Sequence, residues 1–162
     1  MDIFANAGTQ IGFLGAVLSV ALACAGSGRG VGLVGEAAAG VLSEDPNKFS
    51  QCLILQIIPG TQGLYGLVIW FFAMMKMGFF SGSMPVLTIE QGLGFLAAGL
   101  CMGIGGLITA VAQGRCAAAG VALIAKRPEE MSKGLIMAIM VEFYAILCLL
   151  ASFLMINSMG VV

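Results

Sequence analysis

The sequence predicts an all-α membrane protein, with four transmembrane helices laid out as two tandem helical hairpins. Three observations carry that expectation. Of 162 residues, 60% are hydrophobic and only 9% charged, and the mean hydropathy is +1.06, outside the range of a soluble domain. The apolar stretches are long enough to span, at about 20 residues or more, and short polar turns divide them. The second half of the chain also repeats the pattern of the first.

Composition excludes several functions at once. There is no histidine, so Ser-His-Asp and Cys-His catalysis and histidine-ligated haem or zinc are ruled out. Cys24, Cys52, Cys101, Cys116 and Cys148 form no CxxC pair and sit in apolar runs, where cysteine acts as a small hydrophobe. No basic face exists to hold nucleic acid. The start, MDIFANAGTQ, is acidic rather than basic, so no cleaved signal peptide is expected.

The first span is expected over residues 12–42. It is dense in glycine and alanine. Glycine weakens a helix in water, but small residues let helices approach closely in lipid. GSGRGVG, at 26–32, lacks the preceding strand and the Lys-Ser/Thr of a phosphate-binding loop. SEDPNK, at 43–48, is a polar turn centred on Pro46, and the second span follows over 49–77. Inside it LQIIPGTQGLYG contains Pro59, which removes a backbone donor and should kink the helix. Thr61, Gln62 and Tyr65 stand beside that kink with oxygen atoms able to bind a cation. KMGFFSGSMP is the middle loop. The third span, 93–125, is again rich in small residues and is interrupted by Gln113. AKRPEEMSK turns at Pro128, and the fourth span carries Glu142, the only charged residue in 134–162.

An ionisable group inside an apolar span is costly and marks an ion or proton path more often than a structural salt bridge. Three polar groups converge in depth. Gln62 is 16 residues from Pro46, while Gln113 and Glu142 are 15 and 14 residues from Pro128. At about 1.5 Å per residue these distances are about 21–24 Å, so three helices bring a polar group to one level. Arg115 is the rival partner of Glu142. It lies about 200° around the helix from Gln113, and with Arg29 and Glu36 it is expected at a separate inner surface.

The repeat is parallel. Gly28-Arg29 matches Gly114-Arg115 and Pro46 matches Pro128, with four more residues between Arg and Pro in the first copy. The hairpins are expected over 1–80 and 88–162. Lys48, Lys126, Arg127 and Lys133 lie at the two proline turns, and only Lys76 at the opposite end. The positive-inside rule then puts the turns at Pro46 and Pro128 in the cytoplasm and both termini outside.

Taken together, LQIIPGTQGLYG, AQG at 112–114, AKRPE and VEFYAIL resemble the membrane rotor-ring proteolipid (the K or c subunit) of V-type ATPases, in its bacterial sodium-translocating branch. The resemblance covers nearly the whole chain. It implies a multi-pass cell-membrane protein that assembles into a homo-oligomeric ring. Such a ring turns against a static membrane subunit and is joined to central-stalk subunits. The chain would be non-catalytic, with no nucleotide site of its own. Carried over by position, the ion site would be Glu142, Gln113, Gln62, Thr61 and Tyr65 with the backbone carbonyl of Ile58, and Na⁺ would sit at Glu142, Gln113, Gln62, Thr61 and Ile58. Phe143 follows the acid, where the sodium branch often has threonine. Na⁺ is the expected cargo and H⁺ the alternative. A small multi-span ion transporter or channel working without an ATPase is the other functional reading, and a purely structural membrane oligomer a third.

Overall fold

The computed structural model describes residues 6–82 and 86–160, so the first five residues, the last three of the middle loop and the last two of the chain lie outside it. Every regular element among the described residues is helical. α1 spans Ala7–Glu44. A 3₁₀ turn at Pro46–Lys48 leads into α2, Phe49–Ile57, and a second at Ile58–Gly60 into α3, Thr61–Lys76. α4 spans Ile89–Lys126. A further 3₁₀ turn, Pro128–Glu130, leads into α5, Met131–Ser158. Counting each turn with its helix gives four segments long and apolar enough to cross a membrane.

The two proline turns are built alike. Proline disfavours the helical conformation of the residue before it. Accordingly Asp45 (φ −138°, ψ 90°) ends α1 and Arg127 (φ −140°, ψ 80°) ends α4. The Asp45 carboxylate then accepts the Asn47 amide at 3.1 Å and fixes the first turn. At the other end of the bundle Gly78 and Gly82 take φ of 74° and 72°, a left-handed conformation that glycine adopts without strain.

α4 begins four residues before the expected position. Thr88 and Gln91 form a capping box: the Thr88 hydroxyl accepts the Gln91 amide at 3.2 Å, and Gln91 Oε1 accepts the Thr88 amide at 3.0 Å. This supplies partners for two end groups that a helix otherwise leaves open. α1 likewise begins five residues before its expected start, at Ala7, and runs two residues past its expected end, through Ser43 and Glu44.

α1 packs most extensively against α4, and the two run parallel, because their contacts climb together along both chains. Gly8 lies against Leu87, Thr88 and Gly92, Gly15 against Gly99, and Gly30 against Gly114. A Cβ on Gly99 would overlap the Gly15 carbonyl, so this seam brings backbone against backbone. α3 runs antiparallel to α1, and α5 antiparallel to α4. α5 is the least covered helix. Only 17% of its most apolar window is buried, against 39% for each of the other three segments, leaving Ile136, Met137, Met140, Tyr144 and Leu154 bare.

Two apolar clusters form the core. One gathers Phe95, Met77, Met102 and Ile69. The other, toward the proline turns, gathers Leu55, Ile58, Val121, Ile124 and Ala138. The fully buried amides of Gln62 and Gln113 lie between them.

Candidate functional site

The local cause of the site is Pro59. Lacking an N–H, it cannot continue the ladder, and the helix tightens to 3₁₀ at Ile58–Gly60 before α3 starts at Thr61. The Ile58 carbonyl accepts the Thr61 amide, as a 3₁₀ turn requires. It also accepts the Thr61 hydroxyl at 3.1 Å. Gln62 projects from the first turn of α3 and is fully buried. Its Nε2 donates to Gln113 Oε1 at 2.6 Å, joining α3 to α4.

Gln113 hands the chain of bonds to α5. Its Nε2 donates to the Ala138 carbonyl at 3.1 Å and lies 3.5 Å from Glu142 Oε2. From the other side the Tyr65 hydroxyl donates to Glu142 Oε1 at 2.5 Å. The Thr61 hydroxyl is also 3.5 Å from Gln62 Oε1. Thus Ile58, Thr61, Gln62, Tyr65, Gln113 and Glu142 fall in one polar layer drawn from three transmembrane segments.

No cation reaches the half-buried Glu142 carboxylate among the described residues. The two ion pairs there, Lys48–Asp45 and Lys133–Glu130, belong to the proline turns. Arg115 points elsewhere. It is exposed and, with Arg29, Leu107, Ile108, Val111 and Ala112, lines a cavity of about 410 Å³ on the α1–α4 face. Glu36 is exposed as well. The described residues contain no group of three or more His, Cys, Asp or Glu placed to hold a metal. The layer instead presents one negative charge with amide, hydroxyl and carbonyl oxygens nearby. That donor chemistry suits a hard monovalent cation or a proton and is too poor in charge for a divalent site.

Sequence reasoning missed the groups behind this layer. The Ala138 carbonyl holds Gln113, and a backbone atom has no sequence signature. The Gly63 amide donates to Ser27 Oγ at 2.8 Å. Ser27 did have a signal, since it stands two residues before Arg29 as Gln113 stands two before Arg115.

The chain matches the family of the ATP synthase C subunit twice, over residues 14–73 and 96–155. It is similar to the V-type sodium ATPase subunit K of Enterococcus hirae, with 47% identity over 149 residues that cover 90% of this chain and 92% of that one. It is also similar to the A-type ATP synthase subunit K of Methanocaldococcus jannaschii, with 37% identity over 145 residues. That alignment covers 90% of this chain and 61% of the longer archaeal protein. A double match across most of the sequence, and a relative near half-identical over almost its full length, lead to one conclusion: the chain belongs to the family of the ATP synthase C subunit.

Proposed function

We propose that the chain is the rotor-ring subunit of a V-type rotary ATPase and carries Na⁺ across the membrane on Glu142 as the ring turns. The observation that supports this most directly is the position of Glu142. It is the one carboxylate in its span, it lacks a cationic partner among the described residues, and Tyr65 and Gln113 hold it from two other segments. One negative charge matches one Na⁺, giving a neutral site that can face lipid without the cost of a bare ion. Glu142, Gln113, Gln62, Thr61 and the Ile58 carbonyl would supply the oxygen ligands, with Tyr65 fixing the carboxylate. The name of the Enterococcus hirae relative also favours sodium.

In this reading the hairpins comprise residues 1–80 and 88–162, and the twofold family match supports the division. Both termini lie outside and the turns at Pro46 and Pro128 face the cytoplasm, following their positive charge. The partners are further copies of this chain in a closed ring, a static membrane subunit and central-stalk subunits that deliver the work of ATP hydrolysis. That work is done against a potential worth about 2.3 kcal/mol per charge per 100 mV.

Carbodiimides modify protonated carboxyls, so bound Na⁺ and high pH should each slow labelling of Glu142. Labelling that ignores millimolar Na⁺ at fixed pH and ionic strength would make Glu142 a proton carrier instead. A stable monomer or dimer after gentle solubilisation would point to a transporter or channel working without an ATPase.

A further inference from the structure

The stretch that carries Thr61, Gln62 and Tyr65 has a second side. Its polar side chains reach toward α4 and α5, while Gly63 and Gly66 turn to α1. A Cβ on Gly66 would run into the Ser19 carbonyl and the Ala23 side chain. Three α1 side chains bond to this backbone. Ser27 Oγ accepts the Gly63 amide at 2.8 Å, Cys24 Sγ lies 3.8 Å from the Gly63 carbonyl, and the Ser19 hydroxyl donates to the Gly66 carbonyl at 3.2 Å. The Ser27 contact is the shortest. Gly63 belongs to the first turn of α3, where N–H groups lack the regular helical partner. The N-cap residue there is Gly60, and no side-chain cap comes from it. Ser27 therefore caps α3 from a neighbouring helix, and at 6% exposure it does so out of reach of solvent.

We propose that Ser27 is a positioning residue for the Glu142 site: by holding the Gly63 amide it sets the backbone from which Thr61, Gln62 and Tyr65 reach the carboxylate. The proposal rests on the ion-carrier reading of Glu142 and adds a residue that bonds to the scaffold rather than to the carboxylate. A binding constellation works only when its groups are held within about 0.5 Å of the productive geometry. Gln62 immediately precedes Gly63, and Tyr65 follows two residues later, so a slack amide at Gly63 displaces both. The cation feels this more than the proton, because a cation needs several oxygens at set distances and protonation needs only the carboxyl. The repeat gives the same position two uses. In the second half it is Gln113, inside the polar layer, and in the first half it is Ser27, behind it.

The test is carbodiimide labelling of Glu142 in the solubilised native assembly, titrated with Na⁺ and with pH, for wild type, Ser27→Ala and Ser27→Thr. Ser27→Ala should raise the Na⁺ concentration that half-protects Glu142 by about five- to tenfold, the size expected for one lost hydrogen bond. Its pH dependence without Na⁺ should match wild type, and Ser27→Thr, which keeps the hydroxyl, should restore the Na⁺ response. An unchanged Na⁺ titration in Ser27→Ala overturns the proposal. Equal losses in both variants, at every Na⁺ and pH, also overturn it, since Ser27 would then be a packing residue only. If wild-type labelling ignores Na⁺, the sodium reading fails on its own. The positioning role rests on that reading and falls with it, whereas the Ser27→Ala titration can fail while the wild-type Na⁺ response stands.

Discussion

At Glu142 a single carboxylate takes hydrogen bonds from two helices, one to each oxygen. Glu142→Gln keeps the shape but removes the charge, so both carbodiimide labelling and ion transport should fall to background while the fold survives. Tyr65→Phe removes the 2.5 Å bond and frees one carboxylate oxygen. Labelling at fixed pH and Na⁺ should then accelerate by roughly ten- to a hundredfold, as expected when one charge-assisted bond is lost; unchanged kinetics would show that Tyr65 does not restrain the acid. The meeting of Gln62, Gln113 and Glu142 was legible beforehand, because distance along a straight helix converts residue number into depth. The donor and acceptor roles of each amide were not legible. They depend on the Ala138 carbonyl and on rotamers that only packing decides.

Among the elements, the break at Pro59 shapes the site most. Pro59→Ala should let α2 and α3 merge into one regular helix and draw the Ile58 carbonyl back into the i to i+4 ladder. The Na⁺ protection of Glu142 should weaken while the pH dependence of labelling persists, which paired titrations would separate. The glycine seam makes a second prediction. Gly99→Ala puts a methyl into the Gly15 backbone, so α1 and α4 must move apart at a cost of about 1–3 kcal/mol. Gly40→Ala meets open space and should be neutral or stabilising by up to about 1 kcal/mol through helix propensity. Thermal unfolding in mild detergent would rank the two. Spans and turns were readable because hydropathy and proline act locally. The start of α4 was misplaced because the Thr88–Gln91 box lies in polar sequence, outside the apolar stretch used to locate the span.

For the whole molecule, the two hairpins are tied at the proline-turn end as well as in the polar layer. Lys48 Nζ donates to the Ala125 carbonyl at 2.7 Å, and Gln51 Nε2 donates to the Pro128 carbonyl at 3.3 Å. Lys48→Met should therefore lower stability by about 1 kcal/mol without touching the Na⁺ response, a separation that melting and labelling on one preparation would reveal. The duplication and the parallel run of α1 and α4 followed from the matched Arg and Pro positions. The choice of contact faces did not, since glycines fill most sides of both helices and only packing selects the seam. That seam has a mechanical consequence. Tyr65 and Gln62 come from the first hairpin, Gln113 and Glu142 from the second, so any shear between the halves would pull the polar layer apart. Contacts of backbone on backbone have no long side chains to bend, and interiors packed this closely yield little under load. A protein dragged sideways through a membrane by torque would thus move as one stiff body, its cargo carried across the joint without the joint giving way.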